Sequence, residues 1–211
     1  MKKASIVLFL LTIGFMSAQS FKLGATANIH RSSIVHIHDV SKPAWGGGVG
    51  VFGEIPIVEN DIFDSAWLYL VPQLEFSMQG ENAEPYKNKD KQQFPNYYLG
   101  VPIYVKYFFH RSGWKSDLFL MAGPRFEFLV YNDRKGPEGY AMFAGQEDKI
   151  NSFGYGLSVG AGLRVQDDWE IFVRFDRGFS KIYPDYDAAN KTSTYNRLLG
   201  LGVNYYIKSF D

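Results

Sequence analysis

Residues 153–179 read FGYGLSVGAGLRVQDDWEIFVRFDRGF, and their pattern is the clearest indication of the fold. Two long runs alternate apolar residues with small or charged ones, and residues 166–168 separate them. Strict alternation predicts β-strands whose two faces meet different surroundings. Each run is close to the roughly 9–11 residues that a tilted strand needs to cross a bilayer. One face is continuously apolar and the other mixes glycine with ionised residues, which is typical of a barrel with lipid outside and a polar lumen.

The same alternation occurs in six further segments, so the sequence predicts eight strands in a single domain. The additional strands are predicted at residues 21–30, 44–57, 68–76, 98–107, 118–128 and 199–207. Long polar connections are predicted at 31–43, 79–93, 132–150 and 181–196, and short ones at 58–64, 110–116 and 166–168. An even strand number with this alternation predicts an all-β fold, an eight-stranded antiparallel up-and-down transmembrane β-barrel with both termini on the periplasmic side.

Three predicted strands contain an internal proline, at Pro72, Pro102 and Pro124. Proline cannot donate a hydrogen bond to the sheet, so we expect a β-bulge at each. The alternative fold is a secreted lipocalin-like barrel, which requires an apolar interior and a polar exterior. Here the ionised strand residues share a face with the glycines and the opposite face is fully apolar, which favours the membrane barrel.

The N-terminus differs in composition from the rest of the chain. Lys2 and Lys3 precede an apolar core at residues 6–15, and small residues precede Gln19. We therefore expect a signal peptide at residues 1–18, a barrel domain at residues 19–211 and export to the outer membrane of a Gram-negative cell. The chain has no cysteine, and its 22 basic residues match 22 acidic ones. This composition predicts neither lipid attachment nor disulfides and gives no reason to expect a nucleic-acid partner.

Three glycine-rich strand motifs carry a family resemblance: YLGVPIYVKY at 98–107, LMAGPRF at 120–126 and GYGLSVGAG at 154–162. With them the chain resembles the PorT-like outer-membrane β-barrel family of Bacteroidetes. The resemblance implies an eight-stranded outer-membrane barrel. It also implies a structural, assembly or secretion-accessory role, since the family's namesake is an accessory of the type IX secretion system. Outer-membrane lipid and other envelope or secretion proteins are the partners it implies.

The strongest constellation of chemical groups faces the predicted lumen. Its acids are Glu54, Glu75, Glu127, Glu170 and Asp176, and its bases are Lys22, Lys106, Arg125, Arg164 and Arg174. Buried charges are tolerated when they are paired and hydrogen-bonded, so the favoured interpretation is a salt-bridge network that fills the lumen. We expect two layers. Glu75, Arg125, Glu127, Arg174 and Asp176 form the outer one, and Lys22, Glu54, Lys106, Arg164 and Glu170 form the one nearer the periplasm. The alternative is a narrow, porin-like channel for small solutes.

The tryptophans fall near predicted strand ends. Trp67, Trp114 and Trp169 lie beside short connections, and Trp45 lies at the opposite rim. Aromatic residues collect at both membrane–water interfaces of outer-membrane barrels, so these four predict an aromatic girdle.

Catalytic and metal-binding patterns are weak. His30, His36, His38 and Asp39 cluster near the first connection, where alternating histidines could hold a metal, although ordinary loop polarity explains them as well. Ser32 or Ser33 near His30 is the one cluster that suggests a lipid-modifying enzyme, and no motif surrounds it. The tyrosine-rich segment 183–195 could form a binding surface. We expect no enzyme activity, no cofactor and no metal, with the lipid-modifying enzyme kept as an alternative.

Overall fold

A computed structural model describes residues 21–35, 41–58, 66–83, 92–109, 116–133, 150–165, 168–184 and 193–210, and in it eight strands form a closed antiparallel barrel. Every strand pairs with its neighbours in the chain, and the last strand closes onto the first. The predicted fold is therefore confirmed. Among the described residues, no helix has the length and apolar character needed to cross a membrane. The strands are β1 (Phe21–Val35), β2 (Ser41–Val58), β3 (Leu68–Ala83), β4 (Gln92–Phe109), β5 (Ser116–Asn132), β6 (Phe153–Val165), β7 (Trp169–Gly178) and β8 (Tyr195–Phe210).

Side chains alternate between the two surfaces of the wall as the sequence predicts. On β7, Val173 is 52% exposed whereas its neighbour Arg174 is 3% exposed. The outer surface carries mainly Leu, Val, Ile and aromatic residues, and most of the buried polar residues are ionised or amide-bearing. An apolar exterior around a charged interior is the reverse of a lipocalin, so the soluble alternative is wrong.

The strands extend further than predicted at the end opposite the termini. β1 continues to Val35, β3 reaches Ala83, β4 begins at Gln92 and β8 begins at Tyr195. The predicted loops at 31–43, 79–93 and 181–196 are therefore partly strand. The first two connections also differ from the prediction of a long one followed by a short one. The segment 36–40 that joins β1 and β2 is shorter than the segment 59–67 that joins β2 and β3.

The three prolines do not mark bulges. Pro72 pairs with Ile103, Pro102 with Arg125, and Pro124 with Leu157, and the register is unchanged on either side of each pair. Register shifts occur elsewhere, for example between Leu23 and Gly24 in the β1–β8 pair and between Tyr97 and Tyr98 in the β4–β5 pair. Because a residue in an antiparallel sheet directs its N–H toward one neighbour only, a proline loses one hydrogen bond and the ladder keeps its register.

Glycines make room for aromatic rings inside the narrow barrel. Phe172 lies opposite Gly202 across β7 and β8, and a Cβ atom at Gly202 would come within 2.3 Å of its ring. The same arrangement joins Phe52 to Gly24 and Phe119 to Gly162. Eight strands enclose an interior that side chains fill, so each large ring lies over a strand position without a side chain. These rings surround the charged groups described next.

Candidate functional site

The ionised residues in the lumen form two clusters, one above the other. The inner cluster lies nearer the chain termini and contains Glu54, Lys106, Arg164 and Glu170, supplied by β2, β4, β6 and β7. The outer cluster lies nearer the opposite mouth and contains Glu75, Arg125, Glu127, Arg174 and Asp176, supplied by β3, β5 and β7.

In the inner cluster two cations alternate with two anions around a square. Lys106 Nζ lies 2.9 Å from an oxygen of Glu54 and 2.9 Å from an oxygen of Glu170. Arg164 Nη2 lies 2.6 Å from Glu54 Oε1 and 2.8 Å from Glu170 Oε1. The Tyr206 hydroxyl lies among all four groups, 2.7 Å from Glu170 Oε1. Each buried charge therefore touches two opposite charges, which offsets the cost of removing it from water.

Aromatic rings enclose this square. The Arg164 guanidinium lies 4.2 Å from the centre of the Phe108 ring, and Lys106 Nζ lies 4.9 Å from the centre of the Phe119 ring. Phe52, Tyr69 and Tyr206 belong to the same buried group. Cations attract the faces of aromatic rings, so these contacts stabilise the ammonium and guanidinium groups where water is excluded.

Arg174 and Arg125 connect the outer cluster. Arg174 contacts Glu75 at 3.0 Å, Asp176 at 3.0 Å and the Tyr104 hydroxyl at 3.0 Å. Arg125 contacts Glu127 at 2.8 Å, Glu75 at 3.1 Å and Asp176 at 3.4 Å. Two guanidinium groups thus hold three carboxylates in one layer across the lumen.

Neutral polar side chains add hydrogen bonds to the outer layer. The amides of Asn28 and Gln73 donate hydrogen bonds to Glu75 at 3.2 and 2.8 Å. The Gln79 amide donates to Glu127 at 2.6 Å, and its oxygen accepts from Asn196. These bonds give Glu75 and Glu127 hydrogen-bond donors in addition to the arginines, whereas Asp176 Oδ1 has no hydrogen-bond partner among the described residues.

Lys22 does not join either cluster. Its Nζ lies 5.8 Å from the centre of the Tyr206 ring, and among the described residues no carboxylate lies within salt-bridge distance of it. Lys22 is partly exposed at the start of β1. The structure thus brings together the other nine residues of the expected network and leaves Lys22 at the barrel opening nearer the chain termini.

An apolar cluster that the sequence analysis missed, called the apolar cap below, lies at the outer mouth. Ile34 packs with Ile182 and Tyr183, and Ile150 packs against them. Backbone hydrogen bonds fix the segment, since Asn151 N donates to the Ile182 carbonyl at 3.0 Å and Ile182 N donates to the Thr194 carbonyl at 2.9 Å. Tyr183 is therefore buried rather than displayed on a binding surface. Residues 182 and 183 come after β7 in a segment that has no alternating pattern. The sequence signal for this cluster is therefore limited to two adjacent apolar residues in a polar loop.

Three of the four tryptophans predicted for the girdle are described, and they lie at the barrel rims. The Trp169 ring contacts the Tyr205 ring at a tilt of 45°, with ring centres 4.7 Å apart, and Trp67 meets Tyr107 edge-on at 5.2 Å, both at the end with the termini. Trp45 is 67% exposed at the opposite end. Trp114 lies outside the described residues.

The predicted catalytic and metal-binding candidates are not assembled into a site in the described residues. His30 is buried, with Nδ1 2.9 Å from Asn28 Oδ1 and Nε2 2.9 Å from the Met78 carbonyl. The Ser32 hydroxyl donates to the Gly80 carbonyl at 2.7 Å, so it is not directed at His30. Within the described part of the chain no metal-binding group of His, Cys, Asp or Glu is found. His36, His38 and Asp39 lie outside that part.

Comparison with known proteins gives one family match. The family model described as outer membrane protein beta-barrel domain matches residues 16–183. A search of curated proteins finds no significant match. Among solved structures, Neisserial surface protein A is similar at 14% identity over 88% of this chain and 97% of its own, with a TM-score of 0.48. The outer membrane enzyme PagL is similar at 12% identity over 86% of this chain and 99% of its own, also with a TM-score of 0.48. OprG from Pseudomonas aeruginosa is similar at 10% identity over 90% and 96%, with 0.46.

Proposed function

Because the chain belongs to the outer membrane protein beta-barrel domain family, an outer-membrane family, we propose that it is a non-enzymatic structural or assembly component of that membrane. In this proposal the barrel contacts other molecules through its wall and outer mouth, and its lumen carries no solute. The observation that carries the proposal is the pair of ion-paired clusters that occupy the lumen one above the other.

The packing around the clusters supports a closed lumen. Tyr104, Lys106, Phe108 and Phe119 are among the most completely buried side chains of the described residues. Beneath the cap, a cavity lined by Glu127, among others, has a volume of about 20 Å³. That volume holds about one water molecule, which falls short of a continuous path.

The finer proposal is a secretion-accessory role of the kind implied by the PorT-like resemblance. Its basis is the three strand motifs at 98–107, 120–126 and 154–162, which are framework motifs of the barrel wall. Since fold alone does not determine function, this role needs evidence from partners.

Site-specific photo-crosslinking in native membranes tests the proposal. A photoreactive residue at Asn151, exposed beside the outer mouth, is expected to give a discrete adduct with another envelope protein. The matched control replaces Val173 on the lipid-facing surface and is expected to label lipid. The absence of any protein adduct at Asn151 would contradict an accessory role.

A lipid-turnover assay tests the non-enzymatic part separately. The purified barrel is expected to leave the acyl chains of outer-membrane lipids intact, because Ser32 and His30 make hydrogen bonds to other groups. Turnover that is lost in His30→Ala would establish the lipid-modifying alternative instead.

A further inference from the structure

We propose that the outer rim of the barrel between β7 and β1 binds the phosphate group of an anionic, acylated lipid in the outer leaflet. Three arginines carry the proposal: Arg31, Arg177 and Arg197. All three are exposed, and the strand alternation directs them outward rather than into the lumen. The inference depends on the outer-membrane location of the family and is independent of the accessory role proposed above.

Two of these arginines face each other without a counter-charge. Arg177 on β7 and Arg197 on β8 are direct cross-strand partners. Like charges directly opposite each other on a sheet destabilise it, so this pair is unfavourable unless an anion lies between them. No Asp or Glu occupies an outward-facing strand position anywhere in the described part of the chain. The anion must therefore come from outside these strands.

The third arginine extends the cationic patch to the next strand. Arg31 on β1 pairs with Leu199, and the neighbouring Ser33 pairs with Arg197, so Arg31 and Arg197 are diagonal neighbours. The Arg31 guanidinium lies 5.8 Å from the centre of the Trp45 ring. A phosphate monoester offers three acceptor oxygens and nearly two negative charges, whereas a carboxylate offers two oxygens and one charge. A cluster of three guanidinium groups therefore favours phosphate over a single carboxylate.

The depth of the patch matches a lipid headgroup. Outward positions from Leu23 to Ile29 are apolar, and Arg31 is the next outward position on β1. On β7, Arg177 is the outward-facing residue next after Phe175, and on β8, Arg197 is the outward-facing residue just before Leu199. The three arginines thus lie where the apolar band ends, on the side away from the termini, which in outer-membrane barrels is the outer leaflet.

A groove for acyl chains lies directly below the patch. An open apolar groove of about 500 Å³ runs along β8, β1, β2 and β3. Ala27 and Gly47 form its low floor, while Leu201 and Phe76 stand on opposite sides. Ile29, two residues before Arg31, also lines it. A site with phosphate-binding cations above and an apolar groove below matches the arrangement of a membrane lipid, which has a charged headgroup joined to hydrocarbon chains.

Lipid retention by the full-length protein tests this proposal. The barrel is reconstituted in phosphatidylcholine nanodiscs with a bis-phosphorylated lipid A, or with the same lipid A after enzymatic removal of its phosphates, and bound lipid is counted by native mass spectrometry. The unmutated protein is expected to retain the phosphorylated form in preference to both other lipids. R177Q/R197Q is expected to bind it at least about tenfold more weakly, since each arginine contributes a charged hydrogen bond.

Two controls separate phosphate binding from damage to the fold. R177K/R197K keeps the charge and is expected to retain intermediate binding, and K89Q, which removes a cation from the β3–β4 connection, is expected to bind like the unmutated protein. In pure phosphatidylcholine, R177Q/R197Q is expected to unfold at the same or a higher temperature, because a like-charge contact is gone. If R177Q/R197Q fails to fold, R31Q provides the same comparison with one cation removed.

Equal retention of phosphorylated and dephosphorylated lipid A would overturn the proposal, as would equal retention by the unmutated protein and R177Q/R197Q. A protein that retains no lipid and dimerises through the groove would show that a second copy is the occupant, and the proposal would then be wrong.

Discussion

Arg174 illustrates how a single residue depends on the closure of the barrel. Its guanidinium contacts two carboxylates and one hydroxyl, and its side chain is almost completely buried. One of those carboxylates belongs to Glu75, which lies 99 residues away in the sequence. Removing a buried partner leaves the remaining charge uncompensated in a place with little water, which costs more than the pair itself contributed.

Arg174→Ala is therefore expected to lower the free energy of unfolding by about 3–5 kcal/mol. The reason is that Glu75 and Asp176 each lose one of the cations that neutralise them. Urea unfolding in lipid vesicles, followed by tryptophan fluorescence, measures this change. Lys89→Ala, a change outside the barrel strands, is the control and is expected to fall within about 1 kcal/mol of the unmutated protein. Equal effects of the two substitutions would contradict a buried network.

A second prediction concerns a single residue, Tyr206. Its hydroxyl contacts both carboxylates and both cations of the inner cluster. Tyr206→Phe is expected to cost about 1–3 kcal/mol, because buried charged groups lose a hydrogen-bond partner. Tyr205→Phe is a matched control, since Tyr205 is exposed on the outer surface and contacts Trp169 through its ring. A smaller loss for Tyr206→Phe than for Tyr205→Phe would argue against the inner cluster.

Which charges point inward could be predicted from the sequence, but their partners could not. Alternation assigns Glu75 and Arg174 to the lumen because a lipid-facing charge would be costly at either position. Which of them meet depends on the stagger between strands, and the stagger cannot be derived from the pattern of one strand. Lys22 shows the limit, since it has the correct alternation but lies at the open end, outside both clusters.

At the scale of strands, a glycine on one strand opposite an aromatic ring on the next lets the two strands pair closely while the ring lies in the lumen. Gly202→Ala is expected to destabilise the barrel by about 1–3 kcal/mol, because the new methyl group would overlap the Phe172 ring. Thermal unfolding in detergent measures this effect, and Gly202→Ala combined with Phe172→Leu is expected to recover part of the loss. Gly53→Ala is the control, since the nearest side-chain atom to its added Cβ is 3.9 Å away. Similar losses at Gly202 and Gly53 would contradict this pairing.

The strands could be predicted accurately only where they face lipid. Outward residues Leu74 and Phe76 contrast with inward Gln73 and Glu75, so the alternation in the middle of β3 is unmistakable. Toward Ala83, at the end of β3, both faces carry polar or small residues. The composition of this segment resembles that of a loop, although its backbone remains paired with β4. Above the membrane the outer surface meets water, so the contrast between the two faces that reveals the strands disappears.

At the scale of the whole molecule, three groups of buried side chains follow one another from the end with the termini to the opposite end, and the proposal treats each as a barrier. The inner square of charges, the outer arginine layer and the apolar cap are built from residues of different strands and connections. Among the described residues, every salt bridge of the lumen joins two members of the same cluster, and none joins the inner cluster to the outer one. We therefore expect a substitution in one group to leave the other two in place.

This arrangement predicts that neither the unmutated protein nor a variant of the outer layer conducts ions. Glu75→Ser combined with Arg174→Ser removes an anion and a cation together. The net charge of the outer layer is unchanged and Arg125 still contacts Glu127 and Asp176, so the barrel is expected to fold. The inner square and its rings still block the lumen, so planar bilayers containing either protein are expected to show no stepwise currents. The faster migration of unheated than boiled protein on gels serves to verify folding. Reproducible single-channel openings in the unmutated protein would overturn the closed lumen, and openings confined to the double variant would show that the inner cluster alone is not a barrier.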